Sequence, residues 1–265
     1  MQLSAVDPTE AEPRKGGLEV WAPSVMPPVI RGQLTDEQTL ALSFRVLAHE
    51  GFSENMAGHI TWQRPGQTEM LVNPWGLWWD EVSASDMCVV DEDARVVSGH
   101  WDVTPAIHIH TELHRRRADA RVVVHNHPYY VCVLAALGRL PELVHQTGSM
   151  YLDDMVMVEE YDGEIDTPLL AQELAERIGD AKVAVLANHG VIVTGANPIE
   201  ATYRAASFER ACKLAYDVLV SGHEPLKLRR SAMIGMKASL LERAAEVYWG
   251  GAVRRLLRTE PEVLG

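Results

Sequence analysis

The sequence predicts an α/β fold, a three-layer αβα sandwich whose central sheet is largely antiparallel. Segments with apolar residues at helical spacing alternate with short runs rich in β-branched residues. Turn residues separate four strand-like runs between 56 and 98, which is typical of an antiparallel meander. The chain has 265 residues, 47% of them hydrophobic, which is enough for one large domain with helices on both faces of its sheet.

The first helix is predicted to begin at Thr35, because Gln38 follows three residues later in the pattern of a capping box. Apolar residues recur at helical spacing from 40 to 47, and Gly51 suits the C-terminal cap. The preceding residues, 1–33, are rich in proline and show no sustained periodicity. We expect them to form a flexible N-terminal arm.

Later helices have clear start signals, since Thr104, Thr167 and Asn197 are each followed by a proline suited to the first helical turn. In chain order we predict a helix from 104 to about 117, a strand over 121–127, a helix from 128 to about 137, a strand over 155–161, a helix from 167 to 179, strands over 181–187 and 190–195, a long helix from 197, and an amphipathic helix over roughly 232–258. The main domain is expected to span 34–225. A C-terminal helical extension, 226–265, would pack on it or on a neighbouring subunit.

Charge and cysteine content argue against several classes of function. The net charge of −13 argues against nucleic acid as a partner, although a local cationic pocket could bind a small anionic substrate. The three cysteines form no CxxC pair, so we expect buried thiols in a reducing compartment and a cytoplasmic protein. No apolar run approaches the roughly 20 residues that span a bilayer. The N-terminus also lacks the apolar core of a signal peptide, so no membrane partner is expected.

Histidines interrupt two strand-like runs, VVVHNHP at 122–128 and VLANHGVIVTG at 185–195. His125 and His127 are two residues apart, so they share one face of a strand. His189 follows another strand and precedes a glycine, which suggests a third imidazole at a tight turn. Neutral imidazoles suit zinc, iron, nickel or manganese, so these histidines are candidate metal ligands. The alternative is that they are core or loop histidines bonded to the backbone.

The helix predicted before this strand carries further histidines and one acidic residue. His110 and His114 are four residues apart and share one face, whereas His108 and Glu112 share another. Glu112 is either a ligand or base near a metal, or a solvated helix residue.

Four segments together resemble the class II aldolase/adducin family: AGHIT at 57–61, VNPWGLWWDEVSASDM at 72–87, IHTELHRRRADARVVVHNHP at 109–128 and LANHGVIVTGANPIEATYRA at 186–205. The resemblance implies a class II aldolase-like fold and a divalent metal, zinc or manganese, held by His125, His127 and His189. It also implies a small-molecule substrate and a homotetramer with active sites at subunit interfaces.

Two departures from the family pattern bear on the substrate. Ala106 stands where the sugar-phosphate aldolases have a glutamate that serves as acid and base. Trp75, between Pro74 and Gly76, stands where they have a small hydroxyl residue that helps to bind phosphate. A tryptophan offers a flat apolar wall and one N–H group, which favours a flatter substrate such as an aromatic hydroxy-carboxylate. The alternative for this tryptophan is packing in the core or at a subunit interface.

The favoured hypothesis is a metal-dependent decarboxylase, because loss of carbon dioxide needs an electron sink and a proton donor but no initiating base. His110, His59 and Tyr151 are candidate proton donors, and His110 shares the helix face of Ala106. Candidate substrate-binding residues are Gly58, Thr61, Asn73, Trp75 and Gly76.

Two other hypotheses remain open. An aldolase acting on a non-standard ketol would use His110 or Glu112 in place of the missing glutamate. A non-catalytic, adducin-like assembly module would need neither, since the adducin head domains also lack that glutamate.

Overall fold

One sheet forms the middle layer of the molecule. Its strands are β1 (His59–Gln63), β2 (Met70–Val72), β3 (Cys88–Val90), β4 (Val96–Ser98), β5 (Val122–Asn126), β6 (Met155–Val158), β7 (Val183–Leu186) and β8 (Gly190–Gly195). Their order is β4-β3-β2-β1-β5-β8-β7-β6, and only β6 and β7 pair in parallel. The predicted α/β fold with a largely antiparallel sheet is confirmed.

This architecture comes from a computed structural model that describes residues 34–54, 56–160, 163 and 165–265, without the side chain of residue 242. The arm predicted over 1–33 lies outside the described residues. The strand predicted over 155–161 is shorter in the structure: it ends at Val158, residues 159 and 160 are described outside it, and residue 161 is not among the described residues.

The α-helices of the described residues are α1 (Asp36–His49), α2 (His108–Arg116), α3 (Tyr129–Ala136), α4 (Pro168–Ile178), α5 (Pro198–Ser221), α6 (Arg230–Ser239) and α7 (Ala245–Leu256). The capping box is present, since Thr35 Oγ1 accepts from the Gln38 amide and Gln38 Oε1 accepts from the Thr35 amide. A 3-10 turn over Pro105–Ile107 precedes α2. The helix predicted over roughly 232–258 is present as α6 and α7, which a π-helical turn, Leu240–Ala244, joins without a break in the helical residues.

Two hydrophobic cores lie on opposite faces of the sheet, because strand side chains alternate between the faces. Val122 and Val124 of β5 belong to the core covered by α1, α3, α5 and α7, whereas Val123 belongs to the core under α2 and α4. His125 is two residues beyond Val123. Its ring therefore lies on the α2 side of the sheet.

The C-terminal helices pack on the domain. Trp249 of α7 is buried in the core that α1 and α5 also cover. In α6, Lys237 pairs with Asp154 at 2.6 Å and donates to the Leu152 carbonyl at 2.7 Å. None of the helices in the described part of the chain is long and apolar enough to cross a membrane.

Candidate metal centre

A cavity of about 370 Å³ opens on the α2 side of the sheet. It lies where β1 begins, β5 ends and the chain turns from β7 into β8. Four histidines, His59, His125, His127 and His189, line it together with apolar side chains. The strand ends thus bring together imidazoles that are up to 130 residues apart in sequence.

Three of these imidazoles form a group that could hold a metal ion. His125 is in β5, His127 follows the last residue of that strand, and His189 lies in the turn between β7 and β8. One potential ligand atom from each lies within 4.8 Å of the other two. This is the set that the sequence predicts as metal ligands.

The Asn-His-Gly sequence builds the turn that presents His189. Asn188 has a φ of 55°, in the left-handed region that asparagine tolerates better than most residues. At Gly190 a Cβ atom would lie 2.5 Å from Cδ2 of His127 and 2.6 Å from the Asn126 carbonyl oxygen. Only glycine therefore lets β8 approach β5 closely enough for His189 and His127 to share the site.

Hydrogen bonds orient two of the rings so that one nitrogen of each remains for a ligand. His125 Nδ1 donates to the Val191 carbonyl at 3.0 Å, which leaves Nε2. His127 Nδ1 lies 2.8 Å from Oε2 of Glu54, and its Nε2 is buried without a hydrogen-bond partner in the structure. An orphaned buried nitrogen of this kind is costly unless it meets a ligand.

The charge state of the rings also fits a cation. Burial, and secondarily the neighbouring histidines, lower the pKa of His125 well below its usual value. Burial and His127 lower the pKa of His189 to about 4. Neutral imidazoles are the form that binds a divalent metal, so the residues present fit a divalent metal ion.

Behind the cavity, a hydrogen-bonded chain of four side chains ends at a backbone carbonyl. His59 Nδ1 lies 2.6 Å from His110 Nε2, and His110 Nδ1 lies 2.7 Å from Thr61 Oγ1. Thr61 Oγ1 lies 2.7 Å from His114 Nε2, and His114 Nδ1 lies 2.7 Å from the Ala120 carbonyl oxygen. The chain forms because His59 and Thr61 share one face of β1, and His110 and His114 share the face of α2 that covers it.

This hydrogen-bonded chain changes the functional roles that the sequence suggests for the histidines and the threonine that form it. Burial lowers the pKa of His59 to about 3, that of His114 to about 4 and that of His110 well below its usual value. His59 lines the cavity, whereas His110 is fully buried behind it and does not. Thr61 is also fully buried, so its hydroxyl is committed to histidines rather than to a substrate.

Of the other predicted substrate-binding residues, some line the cavity and some do not. Gly58 and Trp75 line the cavity, and Trp75 is 64% exposed. Asn73 is buried and holds the loop, because Oδ1 accepts from the Ile60 amide and Nδ2 donates to the Pro74 carbonyl. Gly76 has a φ of 97° and allows the turn after Trp75, but it does not line the cavity.

Besides His110, two more predicted catalytic residues do not reach the cavity. Glu112 is buried on α2 and pairs with Arg115 at 2.6 Å and with Arg116. Tyr151 is fully buried in the core, and its hydroxyl donates to the Arg204 carbonyl at 2.8 Å. Burial raises the pKa of Tyr151 well above its usual value, so it is a poor proton donor.

Ala106 lines the cavity with the histidines, as its place in the family pattern implies. Glu54, by contrast, contacts one of the candidate metal ligands, His127, and sequence reasoning missed it. It lies in an irregular loop with no periodicity or spacing that connects it to His127, 73 residues later. Only the 2.8 Å distance between Glu54 Oε2 and His127 Nδ1 in the folded protein identifies it.

The chain has recognisable relatives among known proteins. The sequence model of the class II aldolase and adducin N-terminal domain matches residues 38–216. An adducin-related protein of Schizosaccharomyces pombe is 30% identical over 220 residues, which are 76% of this chain; the chain spans slightly less than two thirds, 65%, of that protein's length. A 3,4-dihydroxyphthalate decarboxylase of Arthrobacter keyseri is 31% identical over 70% of this chain and 79% of that protein. Among solved structures, L-fuculose 1-phosphate aldolase from Glaciozyma antarctica PI12 superposes with a TM-score of 0.77 at 20% identity, covering 94% of this chain and 100% of that one.

Proposed function

The chain belongs to the class II aldolase and adducin family, and we propose that it is a metal-dependent lyase that decarboxylates a small hydroxy- or aromatic carboxylate. The observation that carries the proposal is the composition of the cavity. It combines a metal-binding set of three histidines with Ala106, and none of its described lining residues is Asp or Glu.

In this proposal His125, His127 and His189 hold a divalent cation, zinc or manganese. Such a cation is a Lewis acid that stabilises negative charge developing on a substrate oxygen. The chain's own contribution is to fix the rings, which it does through the Val191 carbonyl behind His125 and the Glu54 carboxylate behind His127.

Ala106, which lines the cavity at the position where the resemblance places the acid/base glutamate of the sugar-phosphate aldolases, favours decarboxylation over deprotonation chemistry. In decarboxylation the bond to the carboxylate carbon breaks, carbon dioxide leaves, and the electron pair remains on the substrate. No base is needed to begin this step, so the methyl group of Ala106 is sufficient. A proton must then be supplied to the carbon that has lost the carboxylate.

Among the described cavity residues we assign proton transfer to His59, which can accept a proton from a substrate hydroxyl at Nε2 and pass it to the carbon that has lost the carboxylate. Its Nδ1 is bonded to His110, so Nε2 is the ring nitrogen that remains for a ligand. His110 acts behind it as a hydrogen-bond partner. This assignment prefers His59 among the candidate proton donors, because His59 lines the cavity and His110, the first candidate from the sequence, does not.

The walls of the cavity favour a flat or partly apolar substrate. Trp75, Ile109 and Ile165 supply apolar surface, and Trp75 offers an indole face on which an aromatic ring could stack. The backbone at Gly58 and the hydroxyl of Thr104 supply polar groups. The name of the 31% identical relative, 3,4-dihydroxyphthalate decarboxylase, supports an aromatic hydroxy-carboxylate.

We include a homotetramer with interface active sites in the same proposal. Trp75 at the cavity and Trp101 are both exposed, at 64% and 49%, and the Trp75 amide donates to the carbonyl of Asp102, the neighbour of Trp101. The outermost strand β4 adds exposed Val96 and Val97. An aromatic surface beside an open sheet edge is suited to contact with a second copy.

The test measures bound metal and product release on the same preparation. About one equivalent of zinc or manganese per chain and carbon dioxide release from hydroxybenzoic acids are expected, and His125→Ala should abolish both. The surface variant His223→Ala is the control and should retain both.

Other outcomes identify the alternative functions. Aldehyde release from ketols without carbon dioxide would identify an aldolase. Much less than one equivalent of metal, with full oligomer assembly, would favour the adducin-like module that the 30% identical S. pombe relative suggests.

A further inference from the structure

The hydrogen-bonded chain behind His59 has a definite direction, because one of its ends is a carbonyl group. The Ala120 carbonyl oxygen can only accept a hydrogen bond. His114 Nδ1, 2.7 Å away, must therefore carry the hydrogen. The donor and acceptor in each further hydrogen bond follow from this assignment and from the number of hydrogens that each side chain carries.

His114 is neutral, since it is 5% exposed and has no carboxylate partner, and burial together with the charge of Arg121 lowers its pKa to about 4. A neutral ring that carries hydrogen on Nδ1 has a bare Nε2. The Thr61 hydroxyl therefore donates to His114 Nε2. Thr61 has only one hydroxyl hydrogen, so its oxygen accepts from His110 Nδ1.

The same reasoning extends to the cavity. His110 is fully buried and neutral, so with hydrogen on Nδ1 it presents a bare Nε2 to His59. His59 Nδ1 must then donate to His110. We propose that the Ala120 carbonyl, acting through His114, Thr61 and His110, holds His59 in its Nδ1–H tautomer, so that a hydrogen-bond acceptor, Nε2, faces the cavity.

Reversing every donor and acceptor in the hydrogen-bonded chain is unfavourable because of what it requires at His114. If His59 carried its hydrogen on Nε2, then His110 would donate to His59, Thr61 would donate to His110, and His114 Nε2 would donate to Thr61. His114 Nδ1 would then either point a lone pair at the Ala120 carbonyl at 2.7 Å or carry a second proton. The first arrangement is repulsive, and the second places an uncompensated charge in a buried site.

The assignment identifies the ligand group that the cavity recognises at this position. His59 lies outside the group of three histidines whose ligand atoms are within 4.8 Å of one another, so the proposal assigns its bare nitrogen to a bound molecule. If the proposed decarboxylase function holds, a substrate hydroxyl next to the carboxylate donates to His59 Nε2. Thr61 and His114 are then positioning residues, since they act only through His110.

Neutron diffraction from a deuterium-exchanged crystal of the zinc-loaded full chain reads the tautomers directly. Deuterium is expected on Nδ1 of His59, His110 and His114 and on the Thr61 hydroxyl pointing to His114. Deuterium on His59 Nε2, or a Thr61 hydroxyl that points to His110, would overturn the proposal. This result does not depend on turnover, so it can fail while the decarboxylase activity holds, and the reverse.

A set of variants tests whether the hydrogen-bonded chain sets the Nδ1–H tautomer of His59. Thr61→Val removes the hydroxyl while keeping the shape, and His59 ring-nitrogen NMR signals should then shift towards a mixture of tautomers; a His59→Gln spectrum identifies those signals. Thr61→Ser keeps the hydroxyl and should match the unaltered protein. Thr194→Val, an equally buried threonine of β8 outside the chain, is the matched control. Folded Thr61→Val protein with unchanged His59 signals would refute the role of the chain.

Discussion

Glu54 Oε2 lies 2.8 Å from His127 Nδ1, on the side of the imidazole ring opposite the buried Nε2. A carboxylate in this position orients the ring and makes its other nitrogen a stronger donor to a metal. Glu54 comes from the loop before β1, so a segment that contributes none of the three candidate ligands supports the candidate metal centre.

Glu54→Gln should weaken metal binding about 10- to 100-fold, because the amide keeps the shape but not the charge. Competition with a chromophoric chelator for zinc would measure the change. The Glu54 side chain is 55% exposed, so the variant should unfold at nearly the same urea concentration as the unaltered protein. Glu176→Gln, a change at a similarly exposed carboxylate on α4, is the control. Equal zinc affinity in all three proteins would contradict the prediction.

Gly58→Ala should destabilise the protein by more than about 2 kcal/mol, which exceeds the usual cost of a left-handed alanine. The φ of Gly58 is 95°, and a Cβ atom would lie 2.4 Å from Asn126 Nδ2 and 2.8 Å from the His125 carbonyl. Gly138→Ala has only the backbone cost, since at φ 62° no atom lies within 4 Å of its added Cβ. Urea denaturation of both variants should separate the two effects. Similar losses in both would show that β1 and β5 relax to admit the methyl group.

Acid should destabilise the metal-free protein through His114. Its pKa is lowered from 6.5 to about 4 by burial, so between these values the unfolded state binds more protons than the folded state. The stabilising contribution is complete above about pH 6.5 and is lost as the pH falls towards 4, with a slope of up to about 1.4 kcal/mol per pH unit. Other buried histidines add to the total slope with the same sign.

His114→Ala should therefore reduce the slope of the unfolding free energy against pH by the contribution of about one proton, up to about 1.4 kcal/mol per pH unit. The variant should also lower stability at every pH. Urea titrations at pH 4.5, 5.5 and 6.5 would measure it. His223→Ala removes an exposed histidine and should leave the slope unchanged. An unaltered slope in His114→Ala would show that this ring is already protonated in the folded protein.

Trp75→Ala should weaken binding of 2-hydroxybenzoate to the zinc-loaded protein about 2- to 10-fold, which is the range expected for loss of one aromatic contact. Leu226→Ala, a change at a 93% exposed residue that does not line the cavity, should bind it as tightly as the unaltered protein. Calorimetric titration of the three proteins measures the difference. Equal affinity in Trp75→Ala and the unaltered protein would place the aromatic contact elsewhere.

The features that follow from local pattern could be predicted. The capping box at Thr35 and the antiparallel meander agree with the structure, and the convergence of His125 with His127 needs only the alternation of side chains along a strand. Each depends on residues a few positions apart, where backbone geometry alone sets direction.

The depth of each side chain could not be predicted, because it depends on how distant segments pack. Periodicity places His110 on the inner face of α2, but only the approach of α2 to β1 puts His59 between it and the cavity. The same packing buries Thr61 and leaves Tyr151 in the core.

The sequence by itself determined the layers of the fold, the three candidate ligands and the alanine at 106. Only the tertiary structure decided that Glu54 supports His127, that His59 faces the cavity and that the Ala120 carbonyl ends the chain behind it. The physical reason is that hydrogen bonds between side chains have a range of about 3 Å. Residues 51 and 73 positions apart, such as His59 with His110 and Glu54 with His127, meet at that range only through the packing of complete elements.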